Sequence, residues 1–361
     1  MSVRYGKMCR VTMVSYAQGN TGGVTVPIRW INSARGFAIL LVILYHAAQW
    51  SSSAGFSSDA WSEVNDSLAT LRLPLFFAVS GMLAVKWMDK SWRAMMGVKV
   101  VSLAWLYLVW QAITLFVYML VPNTATPGKG NFRELLTAVA TPLVPQGALW
   151  FIWALALFFM LAKISWRLPR WLVLPGAAAI STVVSSETIQ LGNVGWDGAA
   201  SNLIFFLVGV SFSSQLKRFG SSLRAPVAIM FVFAWIGYIS LVPDYEAVGL
   251  NLVSRGLGMV AGISIGCLIS PISAISWIGV RSLNFYLPHY PILMVTAYAA
   301  SVSSLSTTSA VWLPMAFFGI AVGSCFSLLL LARWSDVVNY AFALPPRIAS
   351  RLEGWSADQK Q

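Results

Sequence analysis

The chain has 361 residues, 58% of them hydrophobic and only 10% charged, with a formal net charge of +12. An ordinary soluble domain carries about 25% charged residues, so this composition excludes a soluble globule and points to a bilayer as solvent. The apolar blocks are continuous rather than alternating, which excludes a β-barrel, and no basic stripe interleaves with aromatics, which excludes a nucleic-acid binder.

In chain order, residues 1–30 are polar and rich in Gly and Thr and contain no secretory apolar region. They read as a disordered cytoplasmic tail, with Met8 and Met13 as alternative starts, and the first span reads as a retained anchor. Apolar runs then predict spans over 33–51, 68–88, 97–121, 148–165, 171–186, 200–215, 226–242, 247–269, 282–301 and 311–332. The segments at 171–186 and 200–215 are short, which leaves room for unusual tilt or a partly re-entrant path. The loop 122–147 carries Pro122, Pro127, Pro142 and Pro145 around Phe132–Val139, a stretch expected to form a short interfacial helix. Residues 333–361 read as a second cytoplasmic tail. The fold class expected is an all-α polytopic membrane protein of about ten helices over 31–332, with both termini inside.

The charges support that orientation. With the N-terminus inside, all but Arg72, Lys129, Arg133 and Arg255 of the 24 basic residues fall on the inner side. Eight of the 12 acids (Asp59, Glu63, Asp66, Glu134, Glu187, Asp197, Asp244 and Glu246) fall outside. Tryptophans including Trp30, Trp50, Trp87, Trp150 and Trp334 sit near span ends, where amphipathic rings settle. Cys9, Cys267 and Cys325 show no metal-ligand or redox spacing and read as small buried hydrophobes, so no metal is expected.

A charge inside a span costs about 2.5–3.5 kcal/mol on insertion scales, so each one asks for a reason. Arg35 and His46 are eleven residues apart, about three helical turns, which sets both on one face of the first helix some 16 Å apart along its axis. Arg35 is open to two readings, a snorkelling residue that sets topology or a fixed cation with a task. His46 is either a hydrogen-bonded packing residue or a general base. Arg72, near the outer end of the second span and followed by Pro74, is an interfacial anchor or a functional cation. Ser80-Gly81 is a packing patch or a place where a ligand approaches closely. Arg255 and His289 are each either satisfied internally or part of a site, His289 lying between Pro288 and Pro291, where backbone carbonyls are freed. No HExxH or phosphate-binding loop occurs, and no carboxylate pair lies within the spans.

Several segments resemble one family. Arg35-Gly36 followed by Tyr45-His46 is similar to the Arg-x10-His signature of the bacterial membrane acyltransferase-3 family. Arg72-Leu-Pro-Leu-Phe-Phe-Ala-Val-Ser-Gly81, Gly147-Ala-Leu-Trp-Phe-Ile152, Phe205-Phe206-Leu-Val-Gly209 and Ser282-Leu-Asn-Phe-Tyr-Leu-Pro-His289 resemble its later motifs, in order, across about 30–330. The resemblance implies O-acylation, most often acetylation, of envelope carbohydrates or lipids, with cytoplasmic acetyl-CoA or another acyl-CoA as donor. It implies catalytic parts for His46, Arg35 and Arg72. Substrate contacts are expected from Ser80, Trp150, Arg255, Tyr286 and His289, and a sugar ring is expected to stack on Trp150 or Trp153. A plasma-membrane location follows from the same resemblance. Many members carry an outer esterase-like domain that is missing here, so the chain is expected to act alone or to hand the acyl group to a separate extracytoplasmic partner. The rival reading from the residues is a transporter or flippase of an envelope lipid or sugar, and a third is a membrane scaffold.

Overall fold

The computed structural model describes residues 28–122, 124–125, 140–305, 310–346, 348–350 and 352. The polar stretch before residue 28 and the expected interfacial helix at Phe132–Val139 lie outside the described residues. The helices are α1 (Arg29–Ser53), α2 (Asp59–Ala84, drawn out by a 3-10 turn to Trp87) and α3 (Trp92–Leu120, with a π-helical stretch at Met96–Val100). They continue as α4 (Trp150–Ser165), α5 (Arg170–Ser185), α6 (Val194–Ser211), α7 (Ser213–Ser222) and α8 (Ala225–Leu241). The last are α9 (Leu250–Leu268), α10 (Ser273–Val280), α11 (Ser282–Ser301), α12 (Leu313–Leu331) and α13 (Asp336–Tyr340). No strand occurs among the described residues. The protein is an all-α polytopic membrane protein.

A helix falls on each of the ten expected spans. By length and composition, six of them (α1, α2, α3, α6, α9 and α12) are able to cross a membrane, or seven if α7 and α8, which meet at 114°, count as one broken span. The apolar α4 and α5 have 16 residues each, short of the ~20 that cross without thinning the bilayer. The expected short span at 200–215 starts earlier than its apolar run, at Val194, because Asn193 caps α6 by accepting from the backbone N–H groups of Gly195 (3.0 Å) and Trp196 (3.2 Å). The amphipathic α7 and the short α10 had no counterpart in the apolar pattern.

Apolarity alone does not sort helices into centre and rim. In α2, 67% of the most apolar window is buried inside the protein, whereas in α3 the figure is 28%. Both sequences avoid water, but one faces protein and the other faces lipid. α1 is the mast of the assembly, packed against α2, α9, α10, α11 and α12, and α2 is wedged between α1, α6 and α9. In hydrocarbon no hydrophobic force draws helices together, so close backbone approach through small residues takes over. A methyl group added at Gly81 of α2 would overlap the carbonyl of Phe206, and one added at Gly209 of α6 would overlap the carbonyl of Ala78. The Gly81 half of the Ser80-Gly81 patch is thus a helix contact, and the motif glycine Gly209 returns it. Around this crossing Phe77, Phe158 and Phe206 form a ring cluster, with centroids 5.0 and 5.3 Å apart along the chain of contacts.

Forcing a side chain into a close-packed site costs about 1–3 kcal/mol. Gly81→Ala and Gly209→Ala are therefore expected to lower the Tm of the detergent-solubilised protein. Gly237→Ala, where nothing lies within 4 Å, should leave it unchanged or raise it slightly. Equal Tm values for all three would remove the α2–α6 contact from the account of stability.

Candidate functional site

Among the described residues, two cavities within the helix bundle hold residues singled out in the sequence. The larger, of about 660 Å³, is bounded by the later half of α1, the middle of α2, the starts of α4 and α6, and parts of α9 and α11. His46, Arg72, Trp150, Arg255 and Tyr286 all line it, which brings together five of the residues picked out in the sequence. His46 Nδ1 lies 3.0 Å from Gln49 Oε1, one helical turn on. An amide oxygen only accepts, so Nδ1 carries the proton and the lone pair sits on Nε2. Arg72 is buried, donates from Nη1 to the carbonyl of Asn65 (2.9 Å) and places its guanidinium 4.1 Å from the ring centroid of Tyr45. Arg255 donates from Nη2 to Asn202 Oδ1 (2.8 Å), and Asn202 in turn donates to the carbonyl of Gly198 (2.8 Å). These hydrogen-bond partners are neutral oxygens, so they fix the direction of both cations without cancelling their charge.

The loop side of this cavity is acidic. Glu187, Asp197 and Glu246 also line it. Asp197 accepts from the backbone N–H groups of Leu191 (2.7 Å) and Asn193 (3.2 Å) and so orders the loop before α6. Glu246, in the loop between α8 and α9, has its carboxyl pushed above the usual range by partial burial, with Asp66 and Glu187 adding to the effect. The cavity thus runs from carboxylates at the loops to imidazole and guanidinium groups within the bundle.

The second cavity, of about 370 Å³, lies at the other end of α1. It is lined by Arg35, Ser80, Lys86 and Lys99, together with Ser282 and apolar side chains, and no carboxylate is among the described residues lining it. Arg35 donates from Nη2 to Ser282 Oγ (2.8 Å), a partner 247 residues away in sequence. Lys99 is buried, with Nζ 5.0 Å from the Trp87 ring. Ser80 donates to the carbonyl of Phe76 (2.7 Å), which turns its hydroxyl back on its own helix. Three cationic side chains thus line one chamber, and guanidinium and ammonium groups are donors of the kind that recognise phosphate oxygens.

Arg35 and His46 were expected to share one face of the first helix. The structure places them in different chambers, Arg35 with the lysines and His46 with Arg72 and Arg255. What lies between is thin. Phe76, Phe151 and Tyr286 line both cavities. The Tyr286 hydroxyl donates to the carbonyl of Ala148. His289 is fully buried behind this wall and lines neither cavity, its ring centroid 5.2 Å from that of His46. Its Nδ1 donates to the carbonyl of Tyr286, and its Nε2 is buried with no hydrogen-bond partner among the described residues. Pro288 and Pro291 free the carbonyls of Asn284 and Leu287, four residues back, and His289 bonds to neither. Of the two tryptophans proposed for sugar stacking, Trp150 faces the larger cavity, while Trp153 packs against Trp196 (4.5 Å) and donates to the carbonyl of Pro142 (2.9 Å). Gln49, Asn202 and Ser282 were not foreseen as partners. Only Gln49 had a local signal, its i+3 spacing from His46.

The Acyl_transf_3 family, described as an acyltransferase domain, matches residues 28–332. The inner membrane protein YcfT of Escherichia coli (strain K12) is 25% identical over 241 residues, a match that covers 59% of this chain and 66% of the relative's length. No solved structure matches.

The two cavities should be reachable from opposite faces of the membrane. Asn32 and Gln49 line the two chambers and are seventeen residues apart on α1, about 25 Å along the axis. In a variant freed of its native cysteines, Asn32→Cys and Gln49→Cys should react with an impermeant maleimide from opposite sides. Labelling of both from one side would show that the chambers share a face.

Proposed function

The chain belongs to the acyltransferase-3 family, and we propose that it moves an acyl group, acetyl above all, from cytoplasmic acyl-CoA to a hydroxyl of an envelope carbohydrate or glycolipid. The observation that carries this reading is the pairing of chambers. A chamber lined by Arg35, Lys86 and Lys99 suits the diphosphate of a CoA, and the second chamber offers an imidazole lone pair beside two oriented guanidinium groups. We place the chain in the plasma membrane, in keeping with the relative's description as an inner membrane protein. The charge distribution supports a reading with both termini in the cytoplasm, and on that reading the Arg35 chamber faces the cytoplasm.

In this scheme Arg35, with Lys86 and Lys99, holds the phosphates and the donor arm. The acceptor enters the larger cavity, its sugar ring against Trp150, with Arg255 and Asn202 as hydrogen-bonding partners. His46 Nε2 takes the proton of the acceptor hydroxyl as its oxygen attacks the thioester carbonyl carbon. Arg72 faces the oxyanion of the tetrahedral intermediate. As the intermediate collapses the C–S bond breaks, the CoA thiolate leaves and the proton passes from His46 to sulfur, giving an ester and free CoA thiol. His46 as a transient acyl carrier is the alternative course on the same residues.

General bases contribute about 10²–10⁴-fold in rate. Membranes carrying the wild-type protein and supplied with acyl-labelled acetyl-CoA should pass label to an envelope glycan or lipid, and His46→Ala should lose that transfer by a factor in this range. Full activity in His46→Ala would end its assignment. Hydrogen bonds to charged groups are worth about 1.5–3 kcal/mol, so Arg35→Ala should raise the apparent KM for acetyl-CoA by roughly 10- to 100-fold. A normal donor KM in that variant would move the phosphate site elsewhere. Two chambers on either side of a closed wall are also the shape of a carrier. If no acyl-CoA labels any envelope fraction, and unmodified substrate instead crosses the membrane, the protein is a transporter or flippase.

A further inference from the structure

The cations of the smaller cavity do not end at its lining. Lys99 is buried, Arg35 half-buried and Lys86 exposed, so Lys86 stands at the opening. It lies in the 3-10 turn Val85–Trp87 that ends α2, and there α7 packs against α2. Ser213, the first residue of α7, is buried and donates from Oγ to the carbonyl of Met82 (3.1 Å). Lys86 and Lys217 each come four residues after this contact, about one turn along their own elements. Their ammonium groups lie within electrostatic reach of each other. α7 is also held near its far end. A methyl group added at Gly220 would overlap the Trp30 indole of α1, and the Gly220 carbonyl accepts from Cys267 Sγ (3.2 Å). Lys217 is thus carried on a fixed helix. It is half-buried, and no carboxylate among the described residues acts on it.

Two ammonium groups side by side repel, and an anion shared between them relieves the repulsion. A CoA carries phosphate in two places, the diphosphate in the middle of the molecule and the 3′-phosphate on the ribose. At pH 7 a phosphomonoester bears about −1.5 to −2 charges, the densest charge on the donor. With the acyl arm directed into the bundle, the nucleotide end enters last and stays at the opening. Resting on the acyl-transfer reading above, we propose that Lys217 of α7, paired with Lys86, binds the 3′-phosphate of the donor, while Arg35 and Lys99 hold the diphosphate deeper in the chamber. Lys217 is not among the residues that line the chamber, so it acts on the nucleotide and not on the thioester. The amphipathic α7, which had no counterpart in the apolar pattern, then has a task in telling the full coenzyme from its 3′-dephospho form.

The test compares acetyl-CoA with acetyl-3′-dephospho-CoA as donors, in membranes carrying the full chain, and reads the ratio of their kcat/KM values, so that a general loss of activity cancels. The wild type should favour acetyl-CoA by roughly tenfold or more, the scale of a hydrogen bond to a charged group. Lys217→Gln should remove most of that preference by raising the KM for acetyl-CoA, with the KM for the dephospho donor and both kcat values unchanged. Lys217→Arg keeps the charge and should retain the preference. Arg218→Gln removes the neighbouring exposed cation of α7 and should leave the ratio at the wild-type value. An unchanged ratio in Lys217→Gln, or no preference in the wild type, would overturn the assignment while leaving the acyl-transfer reading intact. An equal fall in Arg218→Gln would also overturn it, since general surface charge and not this pair would then draw the nucleotide. Loss of transfer from every acyl-CoA in the wild type would remove both. Lys217→Met, which keeps the length of the stem without its charge, is made beside Lys217→Gln so that one poorly folded variant does not decide the matter.

Discussion

The structure is governed by what it costs to hold charge in hydrocarbon. A lone guanidinium at the bilayer centre costs several kcal/mol, and no lipid offers it a hydrogen bond. Arg72 and Arg255 are therefore affordable only where protein supplies oxygens, and each is met by one, the Asn65 carbonyl and the Asn202 amide. Those oxygens come from two turns back on the same helix or from another helix, so the cations dictate which helix faces turn inward. The same constraint accounts for the position of α1. A helix carrying both Arg35 and His46 must be enclosed, and it is packed on five sides by other helices.

Enclosure needs close packing, and close packing needs small residues. Gly81 and Gly209 let α2 and α6 approach backbone to backbone, and Gly36 and Gly279 do the same for α1 and α10. Here the chain's motifs serve two ends at once. Phe-Phe-x-x-Gly contributes Phe206 to the ring cluster and Gly209 to the crossing. Ser80-Gly81 contributes a crossing glycine beside a serine on the smaller cavity. Rigid packing around α1 and α2 is what holds His46 and Arg72 in one cavity although they lie on different helices.

How much of this was legible in the sequence follows from the range of each interaction. Helix positions were readable because hydrophobicity is a local property, and all ten apolar runs coincide with helices. The helix starts were less so: α6 begins where Asn193 caps it, before the apolar run opens. α7 went unread because its ten residues include Lys217 and Arg218 and present no apolar block. At the site, the helical stripe of Arg35 and His46 was visible from their spacing. That they face separate chambers was not, since the wall between them is built by Phe76, Phe151 and Tyr286 from three other helices. Likewise Ser282 meets Arg35 and Asn202 meets Arg255 across 247 and 53 residues, distances over which a single sequence carries no pairing signal. His289 was placed near the site by its motif, but its position behind the wall depends on how α11 is rotated against α1.

The wall itself answers two demands that conflict. On the acyl-transfer reading proposed above, chemistry between a donor on one side of the membrane and an acceptor on the other needs a passage. The membrane needs there to be none, because an open path lined by Arg35, Lys86, Lys99, Arg72 and Arg255 would be an anion channel. Polar side chains would make a poor barrier here, since they would carry water across with them. Aromatic rings exclude water and pack edge to face with about 0.5–1.5 kcal/mol of attraction per pair beyond burial, and the two phenylalanines, unlike Tyr286, have no hydrogen bond to lose on rotation. A barrier one ring deep is the thinnest that still separates the two spaces. It keeps the fixed charges of each chamber from completing a path through the other.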